Sequence, residues 1–145
     1  MPFRFPLASV LRYRESVEKR EETALQKAQL EVARVRRKLD DLTAELAKMR
    51  RQREQALQQA IPACRLQMMQ AGIDAAEERR QVLAATLEKA QRQRDAQMKL
   101  YMTAHSGRRM LSELLTKQKS EYEQEQLRVL QKRLDDIVAA RWRRN

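Results

Sequence analysis

The sequence predicts an all-α protein, a long antiparallel two-helix coiled coil (a helical hairpin) whose second helix overhangs the first. Leu25, Ala28, Val32, Val35, Leu39, Leu42, Leu46 and Met49 recur at alternating three- and four-residue steps, the seam that two α-helices bury between them. No glycine or proline falls between Leu7 and Ile61, so nothing in the backbone chemistry interrupts one helix there. Only 4% of the 145 residues are aromatic, and there are two glycines and three prolines; a compact core and its turns lack raw material.

The first helix is expected over about residues 6–61, roughly 80 Å at the α-helical rise. Pro62 follows Gln58, Gln59, Ala60 and Ile61, where the seam fades, and proline disfavours helix at the residue before it. The reversal is placed within residues 58–73, because Gly72 also offers a turn. The second helix is expected over about 66–141. Its seam runs through Leu66, Met69, Ile73, Ala76, Arg80, Leu83, Leu87, Ala90, Arg94, Gln97, Tyr101, Ala104, Arg108, Leu111, Leu115, Gln118 and Tyr122. Its phase does not continue the first seam, and a short turn makes neighbouring helices antiparallel. Gly107 is tolerated in this helix at a cost of roughly 1 kcal/mol relative to alanine. The whole chain, 1–145, is read as one coiled-coil domain.

A reversal near residue 63 sets Leu7 opposite about residue 119 and leaves the end of the second helix unpaired. That end has its own seam, Leu127, Leu130, Leu134 and Ile137, one residue out of phase with what precedes it, and then Trp142 in a basic tail. Four large apolar residues on an unpaired helix do not stay in water. Three fates are open: packing on the first helix through a shifted turn, a homodimer, or a surface kept for another protein.

The net charge is +11 and the pI near 10.4, which admits nucleic acid, anionic lipid or an acidic protein as a partner. The bases are interleaved with acids at helical spacing, Arg36 with Asp40, Arg37 with Asp41, Glu15 with Lys19 and Lys132 with Asp136. Such pairs contribute about 0.2–0.5 kcal/mol each. Most of the charge is therefore read as a solvated face. Nucleic-acid binding is the competing class; base stacking wants exposed aromatics among the bases, and only Trp142 qualifies.

Sequence chemistry predicts no enzyme, no cofactor and no metal site. His105 is the only histidine and Cys64 the only cysteine, too few for a metal cage or a nucleophile with its base. No phosphate-cradling glycine motif is present. Adjacent carboxylates such as Asp40 and Asp41, Glu77 and Glu78, or Asp135 and Asp136 splay about 100° apart on a helix. The lone thiol fits a reducing cytoplasm. No apolar run approaches the roughly 20 residues that span a bilayer, and no signal-peptide core opens the chain.

Phe3, Arg4, Phe5, Pro6 and Leu7, followed by Val10, Leu11, Arg12, Tyr13, Arg14 and Glu18, resemble the opening of the flagellar type III export FliJ family, an F-x-F-x-L-x-x-[VL]-L-x-x-R-x-x-x-E pattern leading into a long helix. The length, the proline-marked break and Leu134-Asp135-Asp136-Ile137 are similar to that family too. The resemblance implies a non-enzymatic stalk, shaped like the central stalk of rotary ATPases, that sits in the hexameric flagellar export ATPase ring and promotes its assembly and activity. It also implies a link to the cytoplasmic domain of the export gate membrane protein and the handling of export chaperones. The place implied is cytoplasmic, peripheral at the inner face of the inner membrane at the flagellar base. The central stalk of virulence type III secretion systems is similar in shape. On this reading Leu127, Leu130, Leu134 and Ile137 enter the ATPase ring while Arg141, Arg143 and Arg144 meet acidic groups of its lining. Leu39, Leu42, Leu46 and Met49, with Met69 and Ile73, are the candidates for the gate. Where the family commonly carries aromatic residues at the start of the second helix, this chain has Met68, Met69, Gly72 and Ile73. Methionine also makes adaptable contact surface.

Overall fold

The computed structural model describes residues 2–143. The described residues form two helices, α1 (Ala8–Leu57) and α2 (Ala63–Trp142), and no strand. The prolines explain the starts of both helices. Pro6 precedes α1, where the Ala8 amide donates to the Phe5 carbonyl and the Leu11 amide to the Leu7 carbonyl. A proline there removes only an amide that the first helical turn leaves unpaired anyway. At the other end α1 tightens into i→i−3 bonds, Gln58 to Gln55 and Gln59 to Ala56, as fraying helix termini do. Pro62 then opens α2, its carbonyl accepting from the Arg65 and Leu66 amides at 3.0 and 3.4 Å.

The reversal occupies residues 58–62. Gly72 therefore does not turn the chain: it lies inside α2, and no glycine has a positive φ. Both glycines instead sit beneath a side chain of α1. A Cβ at Gly72 would stand 3.3 Å from Met49 Cε, and one at Gly107 would stand 3.3 Å from Arg14 Nη1. Arg14 is exposed and its guanidinium can swing away, whereas Met49 is half-buried against the core. Gly107→Ala should thus stabilise the chain by about 0.5–1 kcal/mol through helix propensity. Gly72→Ala should gain nothing, because Met49 has little room to yield. Thermal melts of the two variants should separate, and an equal rise in both would contradict this account of Met49.

The chain divides into two compact units, Glu21–Tyr101 and the pair of segments Met1–Arg20 and Met102–Asn145. Within the first, α1 and α2 form a hairpin: Arg53 meets Gln70, Arg50 meets Glu77, and Glu21 meets Gln97, partners receding in opposite directions along the two helices. Leu42, Leu46, Ile73 and Ala76 form its core, with Met49 and Leu83 packed against it. Within the second unit the pairing is again antiparallel. Glu18 meets Arg108, and the Phe3 ring lies 5.6 Å from that of Tyr122. All the seam residues predicted for α2, from Leu66 to Tyr122, are buried or half-buried.

The ion pairs differ from those expected. Arg36, Arg37, Lys132 and their predicted acids Asp40, Asp41 and Asp136 make none among the described residues. The pairs that form within a helix mostly place the acid first, as Glu31–Arg34, Glu77–Arg80, Glu88–Arg92 and Glu125–Arg128. An acid N-terminal to its base follows the helix dipole, and the reverse order is weaker. Arg109–Glu113 and the adjacent pair Arg94–Asp95 are the exceptions.

Candidate docking surfaces

Beyond Tyr122 the second helix loses its partner. Leu127, Leu130, Leu134 and Ile137 are each more than half exposed, and Arg141 and Arg143 are exposed as well. Arg144 lies outside the described residues. Val138 and Trp142, the latter 83% exposed, widen the stripe. At 3.6 residues per turn, Leu134, Val138 and Trp142 follow one another along a single face beside Leu127, Leu130 and Ile137. Val138 was not foreseen; its four-residue spacing from both Leu134 and Trp142 is the signal that identifies it. The face is apolar, uncovered and flanked by bases.

The six residues proposed for the gate do not share one environment. Leu42, Leu46 and Ile73 are core, which leaves Leu39, Met49 and Met69, all half-buried, with surface to offer. The spacing that makes a seam also carries its flanks, and only burial separates the two.

A cluster that the sequence does not announce lies across the helices of the second unit. Arg108 Nε and Nη2 fork onto Glu18, 2.5 Å from Oε2 and 3.3 Å from Oε1. His105 Nδ1 stands 2.9 Å from Glu18 Oε1; the carboxylate only accepts, so the ring nitrogen donates. The Glu18 side chain is 16% exposed. In the other unit Gln97 Nε2 donates to Glu21 Oε2 and to the Glu21 carbonyl. His105 is thus no isolated solvated imidazole. Polar groups at half-buried seam positions fix alignment more than they add stability.

The Arg108 bond, then the His105 bond, holds the Glu18 carboxyl below the ordinary glutamate value of 4.5, against a smaller opposing effect of burial. A carboxyl whose folded pKa is depressed stabilises the fold above its unfolded pKa and loses that contribution as the pH falls through the folded value. Glu18→Gln should therefore cost about 1–3 kcal/mol at neutral pH by leaving two half-buried donors under-satisfied. Urea melts of both proteins between pH 7 and 3 should converge below pH 4.5. A gap independent of pH would show that the carboxylate charge is not what counts.

Among the described residues no three of His, Cys, Asp and Glu gather to hold a metal ion. The hollow lined by Arg109, Ser112, Glu113, Thr116, Lys117 and Ser120 belongs to a single helix surface and opens to solvent. What the geometry offers is contact surface along helices. A family model described as Flagellar FliJ protein matches residues 3–145. No curated protein and no solved structure matches the chain.

Proposed function

The chain belongs to the flagellar FliJ family and is a flagellar export-related stalk protein, and from that premise we propose that it works as a non-catalytic coupling component of flagellar protein export. The overhanging end of α2 docks in the ring of the export ATPase hexamer and promotes its assembly and turnover. Leu39, Met49 and Met69 meet the cytoplasmic domain of the export gate membrane protein, and export chaperones bind in passing. ATP is hydrolysed in the partner. The chain is held at the cytoplasmic face of the inner membrane by these contacts; no helix of the described residues is long and apolar enough to cross a membrane.

The observation that carries this reading is the stripe from Leu127 to Trp142, exposed along its length. Each buried leucine or isoleucine contributes about 1.5–3 kcal/mol, so four or more on one face are ample for a specific contact. Arginines at the rim add mainly to encounter rate and salt dependence. The test adds the full chain, or a chain ending at Tyr122, to the purified flagellar export ATPase and follows hydrolysis and ring assembly. The full chain should raise both; the shortened one should keep its helical signal and raise neither. Undiminished stimulation by the shortened chain would move the contact onto the paired helices.

A further inference from the structure

The charge of the Glu21–Tyr101 unit is not spread along it. Between Leu46 and Ile73 stand five bases, Lys48, Arg50, Arg51, Arg53 and Arg65, and one acid, Glu54. The remainder of the unit holds eleven bases and eleven acids. Its whole surplus therefore sits at the end where the chain reverses. Arg50 is paired with Glu77 and Arg53 bonds the neutral Gln70, while Lys48, Arg51 and Arg65 have no ion-pair partner among the described residues. Arg53 Nε is buried without an acceptor.

Aliphatic surface gathers at the same end. Leu57 is 61% and Met68 75% exposed, Ile61 is half-exposed in the turn, and Pro62 and Cys64 are exposed. These residues are distributed over the last turn of α1, the reversal and the first turns of α2, not along one helix stripe. Arg53 lies about 6 Å and Arg51 about 9 Å along the helix from Leu57 at the α-helical rise. On α1 the apolar Leu57 leads and these cations follow at about the depth of a headgroup layer, while on α2 Arg65 precedes the exposed Met68 by three residues.

We propose that this reversed end binds the surface of an anionic bilayer, Leu57, Ile61 and Met68 entering the headgroup boundary while Lys48, Arg51 and Arg65 meet lipid phosphates. One shallow apolar insertion with one polybasic patch supplies the two signals that stable surface binding needs. A partner helix calls for anchors in a single stripe, which this end lacks. Nucleic acid calls for stacking aromatics, and residues 46–73 contain none. The contact is with lipid directly; it lies apart from the proposed ATPase contact and borders the proposed gate contact, Lys48 adjoining Met49 and Met68 adjoining Met69.

The test is sedimentation of the full chain with vesicles of phosphatidylcholine alone or with about 30% phosphatidylglycerol, at near-physiological salt. The chain should pellet with the anionic vesicles only. Charge reversal of Lys48, Arg51 and Arg65 to glutamate should weaken binding about 100-fold, since each base near an anionic surface contributes appreciably. Leu57→Ser with Met68→Ser, which leaves charge untouched, should weaken it about tenfold; circular dichroism checks that each variant stays helical. Equal uptake on neutral vesicles, or binding unmoved by either set of changes, would overturn the proposal. So would loss of binding in the chain ending at Tyr122, which would assign it to the overhang. Reversal-sensitive capture by polyglutamate or single-stranded DNA with no uptake on vesicles would give the patch to a protein or a nucleic acid instead.

Discussion

Leu46→Ala should cost the protein about 2–5 kcal/mol, the range for truncating a sealed leucine. Leu46 is 2% exposed and is the most completely buried large side chain, enclosed by Leu42, Ile73 and Ala76. The facing Ala76 is already small, so the cavity has no long neighbour to fill it. Leu39→Ala, at a half-buried flank of the same seam, should cost roughly 1 kcal/mol, in keeping with partial burial. Urea melts should show the Leu46 midpoint falling well below that of the Leu39 variant with similar slopes. A loss under 1 kcal/mol at Leu46 would mean that the helices close over the gap, and that this pairing is softer than its burial implies.

Ile137→Asp should do the opposite, sparing stability while removing function. Ile137 is 54% exposed, and Asp and Ile have similar helix propensities, so the melting free energy should move by no more than about 0.5 kcal/mol. In the proposed complex the same change removes about 1.5–3 kcal/mol of apolar burial and asks a carboxylate to leave water. Stimulation of the export ATPase should require on the order of 100-fold more protein, if it is seen at all. Isothermal binding and hydrolysis assays on the intact ATPase read this directly. Destabilisation above 1 kcal/mol would show that the overhang packs on its own chain, and unchanged stimulation would show that the ring contact lies elsewhere.

Much of this fold was legible because a coiled coil writes its burial as a spacing. The run from Leu25 to Met49 and the longer one from Leu66 to Tyr122 predicted inward-facing positions that the structure reproduces, polar members such as Arg80, Arg94 and Gln97 included. The break was legible at Pro62 to within a few residues, since only proline has a local chemical reason to stop such helices. The candidate sites were legible less evenly. The exposed stripe at Leu127–Ile137 followed from counting what the first helix is too short to cover. The division of Leu39, Leu42, Leu46, Met49, Met69 and Ile73 into core and flank did not, because neighbouring seam and flank positions differ by a modest rotation about the helix axis. The Glu18, His105 and Arg108 cluster was invisible for another reason: its members lie 87 and 90 residues apart, and local spacing carries no information about a partner on the other helix.

That cluster has a consequence for how the chain finds its alignment. Seams with a seven-residue rhythm match themselves again after a slip of one repeat, so hydrophobic burial alone leaves several near-equal pairings. A slip of one repeat would set Glu18 against Tyr101 or Leu115 in place of Arg108, and Glu21 against the alanines Ala90 or Ala104 in place of Gln97. Contacts beside the turn, such as Arg53 with Gln70, are close in sequence and cheap to form early; those of Glu18 close a far longer loop and come late. The carboxylates of Glu18 and Glu21 then act as a proof-reading step. A zipper that started one repeat out of place would forfeit Arg53–Gln70 and Arg50–Glu77 beside the turn and then the bonds of Glu21 and Glu18, each loss favouring its reopening.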